Sequence, residues 1–423
     1  MTSPFAPARP HIIVLNRWRD SYARYADYVD HSRCAVSYIT TDLGKESVPA
    51  AAVEVVVVPD LDDAARLRKE TAHLVDSFGL PEAIVALKEE DLLAAAHLGE
   101  RYGLAQRTTD DLLPLRDKLI MAERAARAGV RVPAFAPAPD RAAVAAFAQT
   151  HGYPLVLKPR LAAASADVQR LDNPADLQDY SDTGDWPTHL LVQVWNADPI
   201  FHIDGIWDGQ RLAPWRASRY LNASCMDFLN GAALCSVEVD DARLLDAIAP
   251  FSTQVMRALT DKPTALHLEL FVHDDRRTTP TCTLLEVGGR VGGADIPFVW
   301  RDVHGYDLLQ AAFHLALGKQ PPTPPPATTA EVAGWMLAAP PAQRPCRIED
   351  VSPMARPGNG PWPYAEHLPK VGTVVPAGGT YEHVGGRFRF RGPTTRAVTR
   401  AIAHTAAHFT VAASPLPPDT DHW

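Results

Sequence analysis

Two glutamates interrupt otherwise apolar stretches of the sequence, Glu269 in LHLELFV and Glu286 in LLEVGG. The pattern predicts a hairpin with strands at residues 266–273 and 281–287 around a polar turn near residue 277. Pairing about that turn brings the two carboxylates together on one face, where they repel each other unless a cation lies between them. Neither has an evident lysine partner, and burying an unpaired carboxylate is costly. We therefore predict that Glu269 and Glu286 are metal ligands.

The second strand continues into a glycine-rich segment, residues 284–293, that reads LLEVGGRVGG. Within a few residues this segment supplies the carboxylate of Glu286, the cation of Arg290 and bare glycine backbone. Glycine in such a position lets a ligand or another backbone approach closely. A metal-bound polyphosphate needs this combination more than a packed core does.

Two lysines lie at the ends of predicted elements. Lys118 opens a helix predicted at residues 118–128, and Lys158 ends a strand predicted at residues 155–158, directly before Pro159. The small residues at 162–166 would let backbone approach phosphate oxygens, and they are the candidate lid over the site. A lysine on its own is more often a solvated surface charge, so neither lysine decides the matter alone.

The segment from Gln193 to Trp195 follows a buried strand and leads into a turn. Backbone N–H and C=O groups left free there would match the hydrogen-bonding edge of an adenine. A plain hairpin in an antiparallel sheet, with Trp195 and Phe201 in its core, explains the same pattern. Both interpretations stay open from the residues alone.

Strands and helices alternate in the first hundred residues, which predicts a small doubly wound parallel sheet. The strands are predicted at 11–16, 35–40, 53–58 and 83–87, and the helices at 20–30, 61–78 and 89–102. No GxGxxG follows the first strand, so a dinucleotide site is not predicted. The residues Asn16 to Trp18, at the carboxyl end of that strand, are a candidate substrate contact.

The bulk composition excludes several classes of protein. The 423 residues are 46% hydrophobic and 22% charged, which is ordinary for a globular protein of two or three domains. A net charge of -9 does not favour nucleic acid or an anionic membrane as partner. The five cysteines lack CxxC spacing, so neither disulfides nor zinc are expected. The N-terminal residues resemble neither a signal peptide nor a membrane span, so we expect a cytoplasmic protein.

The order of these features resembles the ATP-grasp superfamily of carboxylate–amine ligases, and within it the branch of amino-acid and peptide ligases. The matching segments are DKLIMAERAARAGVRVP, GYPLVLKPR, LVQVWNADPIFHIDGIWDG, LHLELFV, LLEVGGRVGG and GYDLLQAAFHLALG. They occur in the family's order between residues 117 and 318. Each segment alone is unspecific, and the ordered combination carries the resemblance.

The resemblance implies a mixed α/β fold of several parts. A doubly wound domain at residues 1–110 would precede an ATP-grasp domain at 111–319, with a small lobe at about 117–195 and a large lobe at about 196–319. A proline-rich linker at 320–329 would lead to a β-rich module at 330–423 that ends in a helix at 394–409.

The resemblance also implies roles for individual residues. Lys118 and Lys158 would contact ATP phosphates, and Glu269 and Glu286 would hold Mg²⁺, two ions, with Mn²⁺ as an alternative. Arg290 would stabilise the acyl phosphate and the tetrahedral state. The remaining predicted contacts are the adenine hinge at Gln193, Val194 and Trp195, a substrate or phosphate contact at His267, and the carboxylate substrate beside Gly292 and Gly293.

Four positions depart from the family's pattern. Gly288 stands where relatives commonly have an asparagine that binds metal, and Gln193 stands where the hinge usually has an acid. Ile200 replaces the glutamate expected at the ribose, and the loop at 162–166 is rich in alanine instead of glycine. Gly288 is the departure that bears most directly on chemistry, because it removes one oxygen ligand.

The expected activity is ligation of a small carboxylate, an amino acid, to an amine through an acyl phosphate, with ADP and phosphate released. Two alternatives remain: transfer to the thiol of a carrier protein, and a nucleotide-binding protein without catalysis. The expected partners are therefore small molecules, with a carrier protein and a homodimer left open.

Overall fold

The computed structural model of the protein describes residues 9–19, 22–104, 106–163, 165–182, 184–221, 228, 231–326, 331–358, 360–379, 381 and 383–417. Several predicted features fall partly outside these residues, among them residues 20–21 of the helix predicted at 20–30, Ala164 of the candidate lid, residues 327–329 of the linker, and Cys225 among the cysteines. None of the helices in the described part of the chain combines the length and the apolar character that crossing a membrane requires.

The N-terminal region is a four-stranded parallel sheet, as predicted. Its strands, in the order β3-β2-β1-β4, are His11–Asn16 (β1), Ala35–Thr40 (β2), Glu54–Val57 (β3) and Pro81–Ala86 (β4). Every residue of β1 and β2 is buried, which explains why both sequences are largely apolar. The helices that accompany the sheet are Tyr25–Tyr28 (α1), Ala64–Phe78 (α2), Leu92–Arg101 (α3) and Thr109–Leu112 (α4).

The helix predicted at residues 20–30 is wrong in extent, because only Tyr25–Tyr28 is helical in the described part of that segment. Arg24 gives no capping hydrogen bond at its start, and Val29 is extended at its end. Tyr25 and Tyr28 are buried against Phe313. Burial of two aromatic rings fixes this segment, and a single helical turn is enough to point both rings inward.

The next region is a four-stranded antiparallel sheet with the order β5-β8-β6-β7. Helix α5 (Lys118–Arg127) precedes it, and Gly129 after that helix has a φ of +75°, a value that favours glycine. The sheet's elements in chain order are Phe135–Pro137 (β5), Arg141–His151 (α6), Leu155–Pro159 (β6), Gln169–Leu171 (β7), Pro174–Asp182 (α7) and Leu190–Val194 (β8).

The largest sheet has eight strands, in the order β13-β12-β9-β10-β11-β14-β18-β16. A separate three-stranded sheet has the order β17-β15-β19. In chain order the remaining elements are Ile200–Trp207 (β9), Leu212–Tyr220 (β10), Leu234–Glu238 (β11), Ala242–Leu259 (α8), Thr264–His273 (β12), Thr281–Gly288 (β13), Ile296–His304 (α9), Leu308–Ala316 (α10), Val332–Ala338 (β14), Cys346–Val351 (β15), Ala365–His367 (β16), Val374–Val375 (β17), Gly386–Gly392 (β18), Thr395–His408 (α11) and Val411–Pro415 (β19). Short 3₁₀ helices lie at Gly44–Ser47, Glu89–Asp91 and Leu113–Leu115.

The hairpin of β12 and β13 has the predicted register, with Glu269 directly opposite Glu286. The register shifts by one residue between Glu269 and Leu270, because Leu270 pairs with Leu284. This bulge lies next to the carboxylate pair, where a bulge bends the strand and redirects its side chains.

The segment after the linker is rich in strands, as predicted, and these strands belong to two sheets, since β15, β17 and β19 form the separate three-stranded sheet. Its strands β14, β18 and β16 extend the large sheet, with β14 paired to β11. Strand β19, which follows the predicted terminal helix, was not expected from the sequence. The large sheet therefore joins residues on both sides of the proline-rich linker.

Candidate active site

The carboxylate pair lies in the middle of the large sheet's edge hairpin. Glu269 Oε1 accepts a hydrogen bond from the Tyr220 hydroxyl at 2.9 Å, and His267 Nε2 lies 3.3 Å from the same oxygen. Burial acts to raise the pKa of Glu269, but the hydrogen bond and charge of His267 hold it below its ordinary value. Glu286 is more open, with 31% of its side chain exposed. One glutamate is thus fixed by neighbours, and the other can meet a ligand.

Both predicted lysines converge on this pair. Lys118 Nζ lies 3.3 Å from Glu286 Oε2 and donates to the backbone oxygen of Ala162 in the candidate lid. Lys158 is buried; burial lowers its pKa, Glu286 raises it and Lys118 lowers it, with a net value of about 8. Lys118, Lys158 and Gln193 line one small cavity together with Leu284. This cavity is the candidate phosphate end of a nucleotide site.

The expectation of free backbone N–H groups at the hinge is wrong. The N–H of Val194 donates to Ala134 O at 2.9 Å, and the N–H of Trp195 donates to Pro154 O at 3.1 Å, because this segment continues the pairing of β8 with its neighbours. The Arg170 guanidinium lies 4.6 Å from the centre of the Trp195 ring. A base bound here would have to use the Gln193 side chain, backbone carbonyl groups or ring stacking.

The donor set fits a divalent cation at the carboxylate pair. Two directly opposed glutamates supply hard oxygen ligands. The premise that neither glutamate has a lysine partner is wrong for Glu286, because Lys118 Nζ lies 3.3 Å from its Oε2. Gly288 adds no ligand, and the structure gives a steric reason. A Cβ at Gly288 would lie 3.3 Å from Arg290 Nε, so the space beside it is filled by the Arg290 side chain.

A buried network centred on Asp204 of β9 adjoins the pair through His267. Asp204 accepts from Nδ1 of His202 at 2.6 Å and from Nδ1 of His267 at 2.8 Å, and His202 Nε2 lies 2.6 Å from Ser236 Oγ. The side chains of His202, Asp204 and His267 are of the types that bind metal ions and lie close enough together to do so. The separations of 2.6 and 2.8 Å are those of hydrogen bonds, so the cluster is a hydrogen-bonded triad.

The triad charges His267. Burial lowers the pKa of His267, but the Asp204 carboxylate raises it more, to about 9. Burial likewise acts to raise the pKa of Asp204, and the His267 and His202 rings hold it well below its ordinary value. His267 therefore faces Glu269 as a cation near neutral pH. Sequence reasoning missed Asp204 and His202; the signal was FHIDG, where polar residues alternate with apolar ones in a buried strand as in LEL.

Arg290 is held by Glu89, a residue that the sequence analysis did not predict for the site. Its Nε and Nη2 donate to Glu89 Oε2 at 2.8 and 2.7 Å, and its Nη1 donates to Val291 O at 3.1 Å. Burial acts to raise the pKa of Glu89, but Arg290 and Arg116 lower it to about 2. The available signal was the charged run from Lys88 to Asp91, which directly follows the carboxyl end of β4.

The remaining glycines of the segment differ in what surrounds them. A Cβ at Gly292 would overlap Asp204 Oδ1 and lie 2.9 Å from His267 Nδ1, so this residue closes over the triad. Among the described residues, no atom lies within 4 Å of the position that a Cβ at Gly293 would take. Of the two predicted substrate glycines, Gly293 borders open space, and Gly292 packs on the groups that orient His267.

The candidate substrate contact at Asn16 to Trp18 has local roles. The Asn16 amide donates to Gly44 O and Ser47 Oγ, each at 2.9 Å, and its oxygen accepts from the Tyr25 hydroxyl at 3.0 Å. The Trp18 ring stacks on Tyr22, with 4.2 Å between the ring centres. Asn16 therefore ties the ends of the N-terminal strands together and has little capacity left for a ligand.

Comparisons with known proteins agree with this architecture. The chain is similar in structure to an L-amino acid ligase from Bacillus licheniformis, with a TM-score of 0.71 and 16% sequence identity over 96% of this chain and 99% of that one. The chain has the ATP-grasp fold. The fold class predicted from the ordered motifs is thereby confirmed.

Other proteins with the ATP-grasp fold match over nearly the same length. Phosphoribosylglycinamide synthetase from Anaerococcus prevotii gives a TM-score of 0.64 at 9% identity, with 96% of this chain and 99% of that chain covered. The biotin carboxylase domain of 2-oxoglutarate carboxylase from Hydrogenobacter thermophilus gives 0.65 at 13%, with 96% and 92% covered. No protein-family model matches the chain, and no curated protein matches it. At these identities the likeness concerns the fold.

Proposed function

We propose that the protein is an ATP-dependent ligase that converts a small carboxylate, an amino acid, into an acyl phosphate and joins it to an amine. ADP and phosphate are the other products. One observation carries the proposal: two opposed glutamates, two lysines, a charged histidine and an arginine gather at one place although they come from separate strands and loops. The structural relatives include an L-amino acid ligase, which supports the class of reaction.

A carboxylate resists attack by an amine because its own charge repels the nucleophile and oxide is a very poor leaving group. Phosphorylation supplies a good leaving group, and phosphoryl transfer needs chiefly positioning and neutralisation of charge. Lys118 and Lys158 supply positive charge at the cavity that they line. Glu269 and Glu286 would hold Mg²⁺, which when bound neutralises charge on the phosphates of ATP.

The second half of the reaction needs a cation near the attacked carbon. Attack by the amine makes a tetrahedral oxyanion, and fixed positive groups stabilise it most where water is excluded. Arg290 and His267 are the two candidates, because His267 is buried, the Arg290 side chain is only 19% exposed, and both carry a hydrogen-bonded carboxylate partner. Water exclusion would come from the loop after β6, whose Ala162 oxygen already accepts from Lys118.

A panel of amino-acid pairs tests the proposal. Purified protein with ATP and Mg²⁺ should release phosphate only with the right pair, and mass spectrometry should find the dehydrated product. Replacement of Glu286 by Gln should lower turnover by about 100-fold or more. The matched control is Glu82→Gln, which changes an exposed glutamate on β4 and should leave turnover unaltered. Absence of ATP binding by the wild-type protein would contradict the proposal.

The same panel separates the two alternatives. A carrier-protein thiol as acceptor would give phosphate release only when a carrier is added, and the product mass would then lie on that protein. A non-catalytic nucleotide-binding protein would bind ATP with no phosphate release for any pair.

A further inference from the structure

Glu89 reaches the candidate active site from the N-terminal sheet. It begins the 3₁₀ helix Glu89–Asp91, shortly after the carboxyl end of β4, where ligands and reactive groups collect in parallel sheets. Its side chain is 13% exposed. The residue precedes the segment 117–318 over which the ATP-grasp motifs run, so nothing in the motif pattern assigns it a role.

The single carboxylate of Glu89 binds two arginines. Its Oε2 accepts from Nε and Nη2 of Arg290, and its Oε1 accepts from Nη1 of Arg116 at 2.6 Å. Charge-assisted hydrogen bonds of this length are the strong kind, and two of them on one guanidinium fix its direction as well as its distance. With Nη1 bonded to Val291 O, every nitrogen of Arg290 has a partner.

Arg116 extends this arrangement to the loop after β6. Its Nη2 donates to Leu161 O at 2.9 Å, and Lys118 Nζ donates to the next carbonyl, that of Ala162. Lys118 in turn contacts Glu286. A short path of hydrogen bonds therefore runs from Arg290 through Glu89 and Arg116 to the loop that borders the lysine cavity.

Gly288 is part of the same construction. A Cβ there would lie 3.3 Å from Nε of Arg290, so that the arginine would have to shift by a few tenths of an ångström, and it would be in ordinary contact with Cγ and Cζ at 3.5 and 3.6 Å. The missing side chain at Gly288 thus leaves the room in which Arg290 extends toward Glu89.

We propose that Glu89 is a positioning residue for the ligase reaction: it fixes Arg290 toward the reacting carboxylate and, through Arg116, ties that arginine to the loop after β6. The inference rests on the proposed function. A long side chain such as arginine loses catalytic benefit when it samples several rotamers, because transition-state stabilisation depends on groups held within fractions of an ångström. Glu89 supplies the restraint without contacting the substrate.

Asp91 offers a matched control in the same helical turn. It is also a buried acid paired to an arginine, with its Oδ1 2.6 Å from Arg17 Nη2. That pair faces the loop after β1 and does not include Arg290. A change of Glu89 to Gln and a change of Asp91 to Asn therefore each remove one buried charge from one turn, and only the first releases Arg290.

The test compares these variants by steady-state kinetics and thermal melting. Glu89→Gln should lower kcat by about 100-fold and change KM for ATP by less than about threefold. Asp91→Asn should leave kcat within about twofold of the wild type, even if it lowers Tm as much as Glu89→Gln does. Glu89→Asp keeps the charge but is one methylene shorter, so it should fold and lie between the wild type and Glu89→Gln in kcat.

A double-mutant cycle with Arg290→Ala decides between positioning and a general structural role. If Glu89 acts through Arg290, Glu89→Gln should reduce kcat by no more than about twofold in the Arg290→Ala background. Equal losses in both backgrounds, or equal losses for Glu89→Gln and Asp91→Asn, would overturn the inference. A wild-type protein that releases no phosphate with any substrate pair would instead remove the proposed function, and this inference with it.

Discussion

Each glycine around Arg290 has different steric surroundings. Gly288 leaves room for Arg290, Gly289 lies under Leu115 and Arg107, Gly292 closes over Asp204 and His267, and Gly293 faces open space. The segment is thus shaped by the side chains that pack around it as much as by any ligand. Substitutions at neighbouring glycines should therefore have very different results.

Gly292→Ala should destabilise the protein, because its Cβ would overlap Asp204 and crowd His267. Overpacking of this kind costs about 1–3 kcal/mol. Gly293→Ala is the control, and it should leave the free energy of unfolding within about 0.5 kcal/mol. Chemical denaturation of both variants measures the difference. Equal stability of the two variants would mean that the triad is not packed as described.

The pH dependence of stability should report the Glu89 ion cluster. The pKa of Glu89 is lowered from 4.5 to about 2, so its stabilising contribution is complete above pH 4.5 and is lost as the pH falls toward 2. The contribution is on the order of 3 kcal/mol at neutral pH. The difference in unfolding free energy between the wild type and Glu89→Gln should shrink over that interval. A difference independent of pH between 5 and 2 would contradict the assigned partners.

Among individual residues, the sequence predicted those whose partners lie on the same hairpin. Glu269 and Glu286 were predictable because strand alternation and one turn fix their relation. Glu89 was not, because its partners Arg116 and Arg290 come from other elements, and Asp204 was missed because only His202 of its two partners lies on the same strand. Arg290 lies about 200 residues from Glu89 in the chain, and no local pattern records that contact.

Helix α5 shows how an element places a functional side chain. Its N-cap is Asp117, whose carboxylate accepts from the N–H groups of Leu119 and Ile120 and also binds Arg160. Lys118 is the first helical residue, so the cap that starts the helix also sets where the ammonium of Lys118 leaves the backbone. The sequence predicted this helix and its first residue from the pattern of DKLIMAERAARAG.

Loss of the Asp117 cap should weaken nucleotide binding more than loss of an equivalent cap elsewhere. Asp117→Ala should cost about 1 kcal/mol or more in stability and should also raise the Kd for ATP, since the first turn that carries Lys118 frays. Asp140 caps α6 in the same way, through Ala143, and that helix carries no predicted site residue. Asp140→Ala should therefore cost about 1 kcal/mol without changing the Kd. Calorimetric titration measures the Kd for ATP of both variants, and chemical denaturation measures their stability. Equal Kd values for the two variants would contradict this role of Asp117.

Elements held by long-range packing were predicted less well than capped helices and regular strands. The helix at 20–30 was predicted too long because burial of Tyr25 and Tyr28 fixes that segment, and local periodicity does not show it. The hinge segment carried a pattern that matched two interpretations, and its N–H groups proved to belong to the sheet.

The whole molecule is organised around a sheet that continues past the proline-rich linker. Ala333 N–H in β14 donates to Glu238 Oε2 in β11, and Arg387 and Arg389 in β18 bind Asp295 at the start of α9. Asp295 lies two residues after Gly293. The segment predicted as a separate module therefore supports the loop that carries Arg290. The sequence indicated its strands, but strand partners so far apart in the chain leave no periodic signal.

Removal of the segment after the linker should prevent folding of the rest. A chain of residues 1–326 would lose β14, expose the edge of β11 and leave Glu238 and Asp295 buried without these partners. We expect insoluble or molten protein, measured by solubility, near-UV circular dichroism and thermal melting. A soluble fragment that melts cooperatively and binds ATP would show that residues 330–423 are an independent module.

Transfer of oxygen from the carboxylate substrate to phosphate tests the central claim most directly. With the active substrate pair, Mg²⁺ and a carboxylate labelled with ¹⁸O, formation and breakdown of an acyl phosphate moves one carboxylate oxygen into the released phosphate. Mass spectrometry of that phosphate should show one ¹⁸O for each product molecule, and Glu286→Gln should abolish the signal. Label found in AMP, or product formed with no label in phosphate, would contradict the acyl phosphate and the role that we assign to this site.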